Sequence, residues 1–300
     1  MNDYWEYVLQ SQDDGKKYQE ILAHRFHFSR RLLQKLKQGE RAWVNGKFTY
    51  LNARGKVGDR LTLALCGDDD AANMLGEDLP LEILYEDDYL LAVNKPSGQV
   101  IHPIPRYPDH TLGNAVAAYW QRQGNPRPFR PIHRIDRNTS GLVLIAKNRF
   151  THQQLAWQME HGQVEKTYLG FISGHLSEPD GKWDAPIGLA EGSYILRTVR
   201  YDSHGLPALT HYRTLKSYKQ ASLLQFILAT GRTHQIRVHC QFAGHPLLGD
   251  ELYGGDTSKI CRQALHSFRY RFIHPATGTP ITIKAPLPLD LRQLAVSISS

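Results

Sequence analysis

The chain has 300 residues, of which 41% are apolar and 22% charged, a composition typical of a globular protein with room for about two domains. No stretch approaches the run of about 18 apolar residues that a membrane span needs, and the first residues lack the pattern of a signal peptide. The three cysteines are too few and too scattered for a disulfide framework or a CxxC zinc site. We therefore expect a cytoplasmic protein that uses no metal and no other cofactor.

The formal net charge of +7 is concentrated near the N-terminus. Residues 16–65 contain twelve lysines or arginines and only three acids, so this segment carries +9 and the other 250 residues together carry −2. Such a segment could simply be a solvated basic face. A concentration this steep nevertheless favours a polyanion as partner, because each phosphate that a cation neutralises releases counterions.

The basic segment predicts two short helices followed by a small sheet. Apolar residues recur at helical spacing from Tyr18 and again from Leu32, and Ser29 can cap the second helix. The pair Asn45-Gly46 predicts a tight hairpin, and a last strand is expected at 61–65. This arrangement resembles the S4 RNA-binding module, whose second helix would lie along phosphates. The residues expected to contact RNA in this module are Arg30, Arg31, Lys35, Lys37 and Lys47.

The rest of the chain predicts one larger domain. An acidic stretch rich in small residues is typical of a linker. Beyond it, short apolar strands are expected at 81–84, 90–93, 142–146, 168–172, 209–215, 223–229, 270–273 and 281–283, with helices at 112–123, 151–160 and 233–242. Many strands, few helices and no regular alternation of the two predict an α+β domain on a largely antiparallel sheet. The expected division is a basic module at 1–66, a linker at 67–78, the large domain at 79–290 and a C-terminal tail at 291–300.

Four polar segments of the large domain carry residues that could do chemistry. In one of them Asp136 lies between Arg134 and Arg137, and a neighbouring guanidinium would keep the carboxylate ionised, which suits a nucleophile or a base. Taken alone, such an Asp is more often a structural partner of an arginine in a turn. Thr233 can cap a helix that presents either an anion site or only a solvated face. The segments are Asn94-Lys95-Pro96-Ser97-Gly98, His133-Arg134-Ile135-Asp136-Arg137-Asn138-Thr139-Ser140-Gly141, Lys166-Thr167-Tyr168 and Thr230-Gly231-Arg232-Thr233-His234-Gln235-Ile236-Arg237.

Together and in this order, the four segments resemble the motifs of the RluA-type pseudouridine synthases, over about residues 81–288. Many members of that family also carry an S4-like module. The resemblance implies a catalytic domain at 79–290 with a mixed, largely antiparallel sheet flanked by helices. It also implies an isomerase that converts uridine in RNA to pseudouridine and needs no cofactor.

The resemblance assigns roles to individual residues. Asp136 matches the catalytic carboxylate, which either attacks C1′ of the ribose or takes the proton from C2′. Arg232 matches the basic residue that pairs with this Asp, and Tyr168 matches the aromatic that packs on the target base and helps to remove the C5 proton. Arg134 would enter the place that the base leaves when it is extruded. The other residues expected to bind RNA in this domain are His133, Arg137 and Arg237.

The RNA target is less specified than the chemistry. We expect uridines of ribosomal RNA, with the large subunit as first choice, and a transfer RNA synthase of the same family is the alternative. A further alternative is an RNA-binding protein that has lost the activity, although a decayed site would usually lack one of Asp136, Tyr168 and Arg232. Motifs of zinc deaminases and of GxSxG hydrolases are absent. We expect a monomer, because no apolar surface helix demands a partner.

Overall fold

A small antiparallel sheet covered by two short helices forms the N-terminal part of the computed structural model, which describes residues 4–64 and 74–299. Its elements are β1 Tyr4–Val8, α1 Tyr18–His24, α2 Arg30–Leu36, β2 Ala42–Val44, β3 Lys47–Phe48 and β4 Arg60–Ala64, with strand order β1-β4-β2-β3. The Ser29 hydroxyl accepts a hydrogen bond from the N–H of Leu32 at 3.2 Å, so the expected cap of α2 is confirmed. Asn45 and Gly46 both have the positive φ that a tight hairpin requires. Strand β1 is not among the elements that the sequence predicts.

The second part of the structure is built on one large mixed sheet. The elements are β5 Glu82–Glu86, β6 Leu90–Lys95, α3 Leu112–Arg122, β7 Arg130–Pro131, β8 Ser140–Ala146, α4 Arg149–Glu160, β9 Glu165–Ser173, β10 Asp180–Asp184, β11 Ile187–Leu189, β12 Arg197–Val199, β13 Leu209–Ser217, β14 Ala221–Leu228, α5 Gln235–Phe242, β15 Leu265–Ile273, β16 Pro280–Lys284 and α6 Leu289–Ser297. The order is β10-β13-β14-β9-β15-β8-β6-β5, with β16 beside β15 and β7 beside β8, while β11 and β12 form a separate ribbon. Only β15 and β8 pair in parallel among the described strands, which confirms the predicted α+β fold with a mixed, largely antiparallel sheet. No helix in residues 4–64 or 74–299 has both the length and the apolar character needed to cross a bilayer.

Strand β8 lies in the interior of the large sheet, between β15 and β6. All of its residues are buried, and its apolar run from Leu142 to Ile145 is typical of a strand that is covered on both faces. Gly141 has φ +112°, and a Cβ added there would lie 2.2 Å from the carbonyl oxygen of Ser267 in β15. A glycine is therefore required for the close approach of β8 to β15. The loop before β8, which contains Asp136, is anchored at this point.

A β-bulge in β15 changes which of its side chains face the same side as Tyr168 in β9. Ser267 lies opposite Tyr168, but Arg269 lies opposite Thr167, so one extra residue is inserted between them. Beyond the bulge, Tyr270 lies opposite Lys166. Because side chains alternate along a strand, Ser267 and Tyr270 would face opposite sides without the extra residue. With it, both face the side that carries Tyr168.

Two segments outside the predicted large domain pack against it. Residues 74–78 belong to the expected linker, yet the carbonyl of Leu75 accepts a hydrogen bond from Asn114 of α3 at 2.8 Å. Residues 291–297 were expected to be a tail but lie in α6, whose Leu291 and Leu294 are buried. The tail prediction is wrong for these residues, because α6 covers an apolar cluster of the large domain. Residues 65–73, with the rest of the expected linker, lie outside the described residues.

The N-terminal module rests on helix α4 of the large domain. Phe150 is 1% exposed and packs 5.2 Å from Phe28 and 5.7 Å from Trp5, measured between ring centres. Further along the helix, Trp157 stacks on His27 with ring centres 3.8 Å apart. The module and the large domain therefore share an aromatic contact on one face of α4.

Candidate active site

An open pocket of about 690 Å³ lies over the middle of the large sheet. The loop between β7 and β8, one face of β9 and β15, and the loop between β14 and α5 form it, together with residues 100–104 and the end of α4. Asp136, Tyr168 and Arg232 all line it, together with Tyr270. The structure thus brings together the three residues that the sequence singles out for catalysis, although they are far apart along the chain.

Asp136 is oriented by the protein through one carboxylate oxygen and is open through the other. Its Oδ2 accepts a hydrogen bond from Nη1 of Arg237 at 3.1 Å and lies 3.9 Å from Nε2 of His234. In the part of the chain that the structure describes, Oδ1 has no hydrogen-bond partner, and 26% of the side chain is exposed. The backbone carbonyl of Asp136 accepts the N–H of Thr139 at 3.0 Å, which closes a turn. A reacting atom in the pocket could therefore approach Oδ1.

Arg237 connects Asp136 to a second, fully buried carboxylate. Its Nε and Nη2 donate to the two oxygens of Asp250, each at 2.7 Å, and its guanidinium lies 4.9 Å from the ring centre of Tyr253. Burial by itself would lower the pKa of Arg237, but the hydrogen bonds and charges of Asp250 and Asp136 raise it overall. Arg237 therefore stays charged and fixed while it holds Asp136.

The prediction that Arg232 pairs with Asp136 is wrong in this structure. Arg232 lies in the loop ahead of α5, is exposed, and donates from Nε to the carbonyl of Pro207 at 3.0 Å. Arg237 lies inside the first turn of α5 and is 7% exposed, so it faces the protein instead. The expected contact of Arg237 with RNA stays a prediction. A buried arginine needs an acidic partner. In the sequence, Asp250 follows the apolar pair Leu247-Leu248 and was the signal that a buried acid is present to pair with Arg237.

Helix α5 begins from a strained residue beside Asp136. His234 has φ 60° and ψ 17°, the left-handed conformation that residues other than glycine rarely adopt. Its Nδ1 lies 2.9 Å from the Tyr253 hydroxyl, and burial lowers the pKa of His234. The side chain of Gln235 accepts the N–H of Arg232 at 2.9 Å and so closes the loop before the helix. The cap that the sequence assigns to Thr233 is wrong, because the helix begins at 235 instead of 233 and the residue before it, His234, makes no capping side-chain bond.

Tyr168 and Lys166 face the pocket from strand β9. Tyr168 is 7% exposed, and burial raises the pKa of its hydroxyl. Lys166, two residues earlier on the same face, also lines the pocket, and burial lowers the pKa of this lysine. His133 lies on the pocket floor, where its Nε2 accepts the N–H of Leu144 at 3.1 Å and its Nδ1 contacts Tyr270. Both ring nitrogens of His133 are thus engaged within the protein, and its expected role in RNA binding stays a prediction.

Two buried basic side chains hold the loop of Asp136 from behind. Arg262 donates from Nη1 to the carbonyl of Asn138 at 3.2 Å and is itself paired with Asp290 at 2.6 Å. Lys95 is fully buried, and burial lowers its pKa to about 7. Its Nζ lies 2.7, 2.9 and 3.0 Å, respectively, from the carbonyl oxygens of Pro96, Gln99 and Arg137. The Asn94-Lys95-Pro96-Ser97-Gly98 motif, which the sequence leaves without a role, therefore supports the loop of Asp136.

The other predicted RNA contacts lie at the surface. Arg134 and Arg137 are exposed on the loop that carries Asp136, and Arg137 lies 5.2 Å from the ring centre of Tyr107. On the N-terminal module Lys35 is partly buried. The remaining cations of that set are exposed: Arg30, Arg31, Lys37 and Lys47.

The motifs that form this pocket lie inside one family pattern. The model of the family described as RNA pseudouridylate synthase matches residues 89–242. The chain belongs to this family. It is 38% identical to the uncharacterized RNA pseudouridine synthase YjbO of Bacillus subtilis over 267 residues. That match covers 89% of this chain and 94% of YjbO. This chain is 39% identical over 231 residues to the ribosomal large subunit pseudouridine synthase D of Zymomonas mobilis, which covers 73% of each chain. The protein is an RNA pseudouridine synthase, and hence an isomerase.

Two solved human structures share the fold of this pseudouridine synthase. RNA Pseudouridylate Synthase Domain Containing 4 superposes with a TM-score of 0.61 at 23% identity, over 72% of this chain and 92% of that one. RNA Pseudouridylate Synthase Domain Containing 1 superposes with a TM-score of 0.58 at 24% identity, over 76% of this chain and 98% of that one. At these identities the likeness concerns the fold alone. It agrees with the catalytic domain that the sequence motifs predict.

Proposed function

We propose that this pseudouridine synthase isomerises specific uridines of large-subunit ribosomal RNA and that Asp136 is its catalytic carboxylate. The observation that carries the proposal is the state of Asp136, with one oxygen held by Arg237 and the other open to the pocket. The choice of RNA is supported by relatives named ribosomal large subunit pseudouridine synthase D, which are 31–39% identical to this chain. The alternative, a transfer RNA substrate for the same chemistry, is distinguished from ribosomal RNA by the mapping of pseudouridines.

The reaction needs a carboxylate that is fixed before the substrate arrives. The N1–C1′ bond breaks, the uracil turns, C5 bonds to C1′, and one proton leaves C5 while another joins N1. Asp136 Oδ1 either attacks C1′ or takes the C2′ proton, and both routes require the oxygen to be aimed at the ribose. Arg237, Lys95 and Arg262 supply that aim, because they hold the carboxylate and its loop without occupying Oδ1.

Tyr168 complements Asp136 on the base side of the reaction. Its ring lines the same pocket from β9, where it can pack on the uracil while the glycosidic bond is broken. Its hydroxyl is the candidate that takes the proton from C5 once the new bond has formed. In this arrangement the ribose faces the loop of Asp136 and the base faces the sheet.

The target nucleotide has to leave its stack before its ribose can reach Asp136. Arg134 is exposed on the loop that carries Asp136, so its planar guanidinium can fill the space that the base vacates. Arg232 and Arg137, exposed at the same mouth, are available to the flanking phosphates.

The N-terminal module supplies affinity that does not depend on sequence. We assign it as S4-like, with α2 laid along the RNA backbone, because its segment of the chain carries +9 and four of its candidate cations are exposed. The pocket then selects the uridine. The division of the chain at residue 66, the cytoplasmic location and the monomeric state belong to the same proposal.

Two measurements test the proposal together. Pseudouridines are mapped in the RNA of cells with and without the gene, and the deletion strain is complemented with the wild type, with Asp136→Asn and with Asp88→Asn. Asp88 is an exposed residue in the turn before β6 and serves as the matched control. We expect sites in large-subunit ribosomal RNA to disappear in the deletion and in Asp136→Asn, and to return with Asp88→Asn.

The possible results separate the parts of the proposal. If the sites that disappear lie in transfer RNA instead, the substrate is a transfer RNA and the proposed chemistry stands. Full complementation by Asp136→Asn would remove Asp136 from the mechanism. If no site depends on the gene while the purified protein still binds RNA, the chain is an RNA-binding protein without this activity.

A further inference from the structure

Three polar groups form a line that ends on the hydroxyl of Tyr168. The Tyr168 hydroxyl lies 2.9 Å from the hydroxyl of Tyr270, which lies 3.2 Å from Nδ1 of His133. Tyr270 is fully buried, and its ring packs on His133 with centres 4.6 Å apart. The mechanism above makes no use of Tyr270, although a buried hydroxyl is retained in a core only when it has partners.

Tyr270 reaches this position only because of the bulge in β15. In an unbroken register Arg269 would lie opposite Lys166 and Tyr270 would point to the other face of the sheet. The extra residue turns Tyr270 to the pocket face, diagonal to Tyr168. Bulges are frequent next to active sites, where they redirect a side chain.

The direction of the hydrogen bonds in this line follows from His133. Its Nε2 faces the N–H of Leu144 at 3.1 Å, and a backbone N–H can only donate. Burial, with the nearby charge of Lys166 as a second cause, lowers the pKa of His133 to about 3, so the ring is neutral near pH 7. The single ring proton is therefore on Nδ1, and it is donated to the oxygen of Tyr270.

Because the Tyr270 oxygen accepts from His133, its own proton is available for Tyr168. A hydrogen bond of that direction stabilises negative charge on the Tyr168 oxygen. Burial raises the pKa of Tyr168, and the hydrogen bond with Tyr270 acts against that rise. The Tyr168 oxygen is thus held from behind, while its own proton can point into the pocket.

We infer that Tyr270, held by His133, is a positioning residue for the isomerisation: it donates to the Tyr168 oxygen and aims the Tyr168 hydroxyl at the uracil. The inference rests on the proposed function, in which Tyr168 takes the C5 proton. In that step the C5–H bond breaks, its electron pair restores the C5–C6 double bond, and the proton passes to the Tyr168 oxygen. The original phenolic proton leaves ahead of it through the solvent of the open pocket to N1, which takes it with the electron pair of the N1–C6 double bond, so tyrosine ends as it began. His133 cannot receive this proton, because both of its nitrogens are engaged.

The test removes the Tyr270 hydroxyl alone. Tyr270→Phe keeps the ring on His133 and should lower kcat by about 10-fold to 100-fold, the range expected for one hydrogen bond to a charged oxygen, with little change in KM. The primary isotope effect with RNA that carries [5-²H]uridine should rise, because proton removal from C5 becomes slower than the other steps. Tyr119→Phe is the matched control, since it removes a hydroxyl that hydrogen-bonds Glu86 away from the pocket. This control should leave kcat, KM and the isotope effect unchanged.

A double-mutant cycle separates this inference from the function on which it rests. If Tyr270 acts through Tyr168, then Tyr270→Phe should have no further effect in the background of Tyr168→Phe. Loss of activity in Tyr168→Phe with normal kcat and isotope effect in Tyr270→Phe would overturn the role of Tyr270 only. Full activity in Tyr168→Phe would overturn the proposed role of Tyr168 as well.

A second variant covers the case in which Tyr270→Phe does not fold, as judged by thermal unfolding. His133→Phe leaves Tyr270 in place but removes the donor that fixes the direction of its hydrogen bond. It should reproduce the increased isotope effect with a smaller loss of kcat. An unchanged isotope effect in a folded His133→Phe protein would contradict the inference.

Discussion

Replacing Arg237 by lysine tests whether Arg237 or Arg232 is the arginine that holds Asp136. Arg237 makes two hydrogen bonds of 2.7 Å to Asp250 and one of 3.1 Å to Asp136 from three nitrogens of one planar group. A lysine keeps the charge but has a single nitrogen, which cannot span both carboxylates. If the contact to Asp136 is lost, a charge-assisted hydrogen bond of about 1.5–3 kcal/mol disappears, which corresponds to roughly 10-fold to 150-fold in the rate of isomerisation.

The same substitution should also destabilise the fold. At least one of the two bonds to Asp250 is lost in a buried site, so the free energy of unfolding should fall by a similar amount of about 1.5–3 kcal/mol. The rate is measured in single turnovers with enzyme in excess, as release of tritium from [5-³H]uridine in the RNA. Stability is measured by urea unfolding of the same preparations, so that only folded protein is compared.

Arg232→Lys is the matched control for this prediction. Its side chain is exposed and contacts only the carbonyl of Pro207 among the described residues, so the single-turnover rate at saturation should change by less than about threefold. The reasoning is refuted if Arg232→Lys loses the activity while Arg237→Lys keeps it. That result would restore Arg232 as the partner of Asp136 in the complex with RNA.

Two further predictions concern the module and the fold. Replacing four of its exposed cations, Arg30, Arg31, Lys37 and Lys47, by glutamine should flatten the slope of log affinity against log salt by about 3, since each phosphate contact contributes roughly 0.7–0.9. An unchanged slope would exclude this face as the RNA-binding surface. Although burial acts to raise the pKa of Asp87, hydrogen bonds from His274, Tyr85 and two backbone N–H groups lower it well below its usual range. The stability that Asp87 contributes is therefore present above its unfolded pKa of about 3.9 and is lost as the pH falls below that value. Urea unfolding should then show that the free energy of unfolding falls less steeply with decreasing pH in Asp87→Asn than in the wild type.

The sequence predicts those features that depend on local chemistry. The cap by Ser29 and the hairpin at Asn45-Gly46 follow from two or three neighbouring residues, and both are present. The meeting of Asp136 and Tyr168 in one pocket follows from the order of the motifs, which is characteristic of a single family. The first two signals each lie in one short, contiguous piece of chain, and the third is the order of several such pieces.

The features that the sequence does not predict depend on distant partners. Strand β1 forms because it pairs with β4, about 55 residues away along the chain, and its own pattern is too short to predict it. Helix α6 shows only Leu291 and Leu294 as its buried face, which is a weak helical period. The partnership of Arg237 with Asp136 and the place of Tyr270 depend on a helix start and a bulge, and both are shifts of one or two residues that a single sequence does not specify.

The aromatic contact between the module and α4 fixes the distance between the module and the pocket. Phe150, near the start of this helix, lies under the module, and Glu160, at its end, lies at the pocket, so the two are separated by about 15 Å of helix axis. An RNA that touches both must offer its backbone and its extruded uridine at one set spacing. Shape of the RNA, and not only the bases around the uridine, then decides which sites react. Lengthening α4 by one turn would shift that spacing by about 5.4 Å and so change which uridines can be reached.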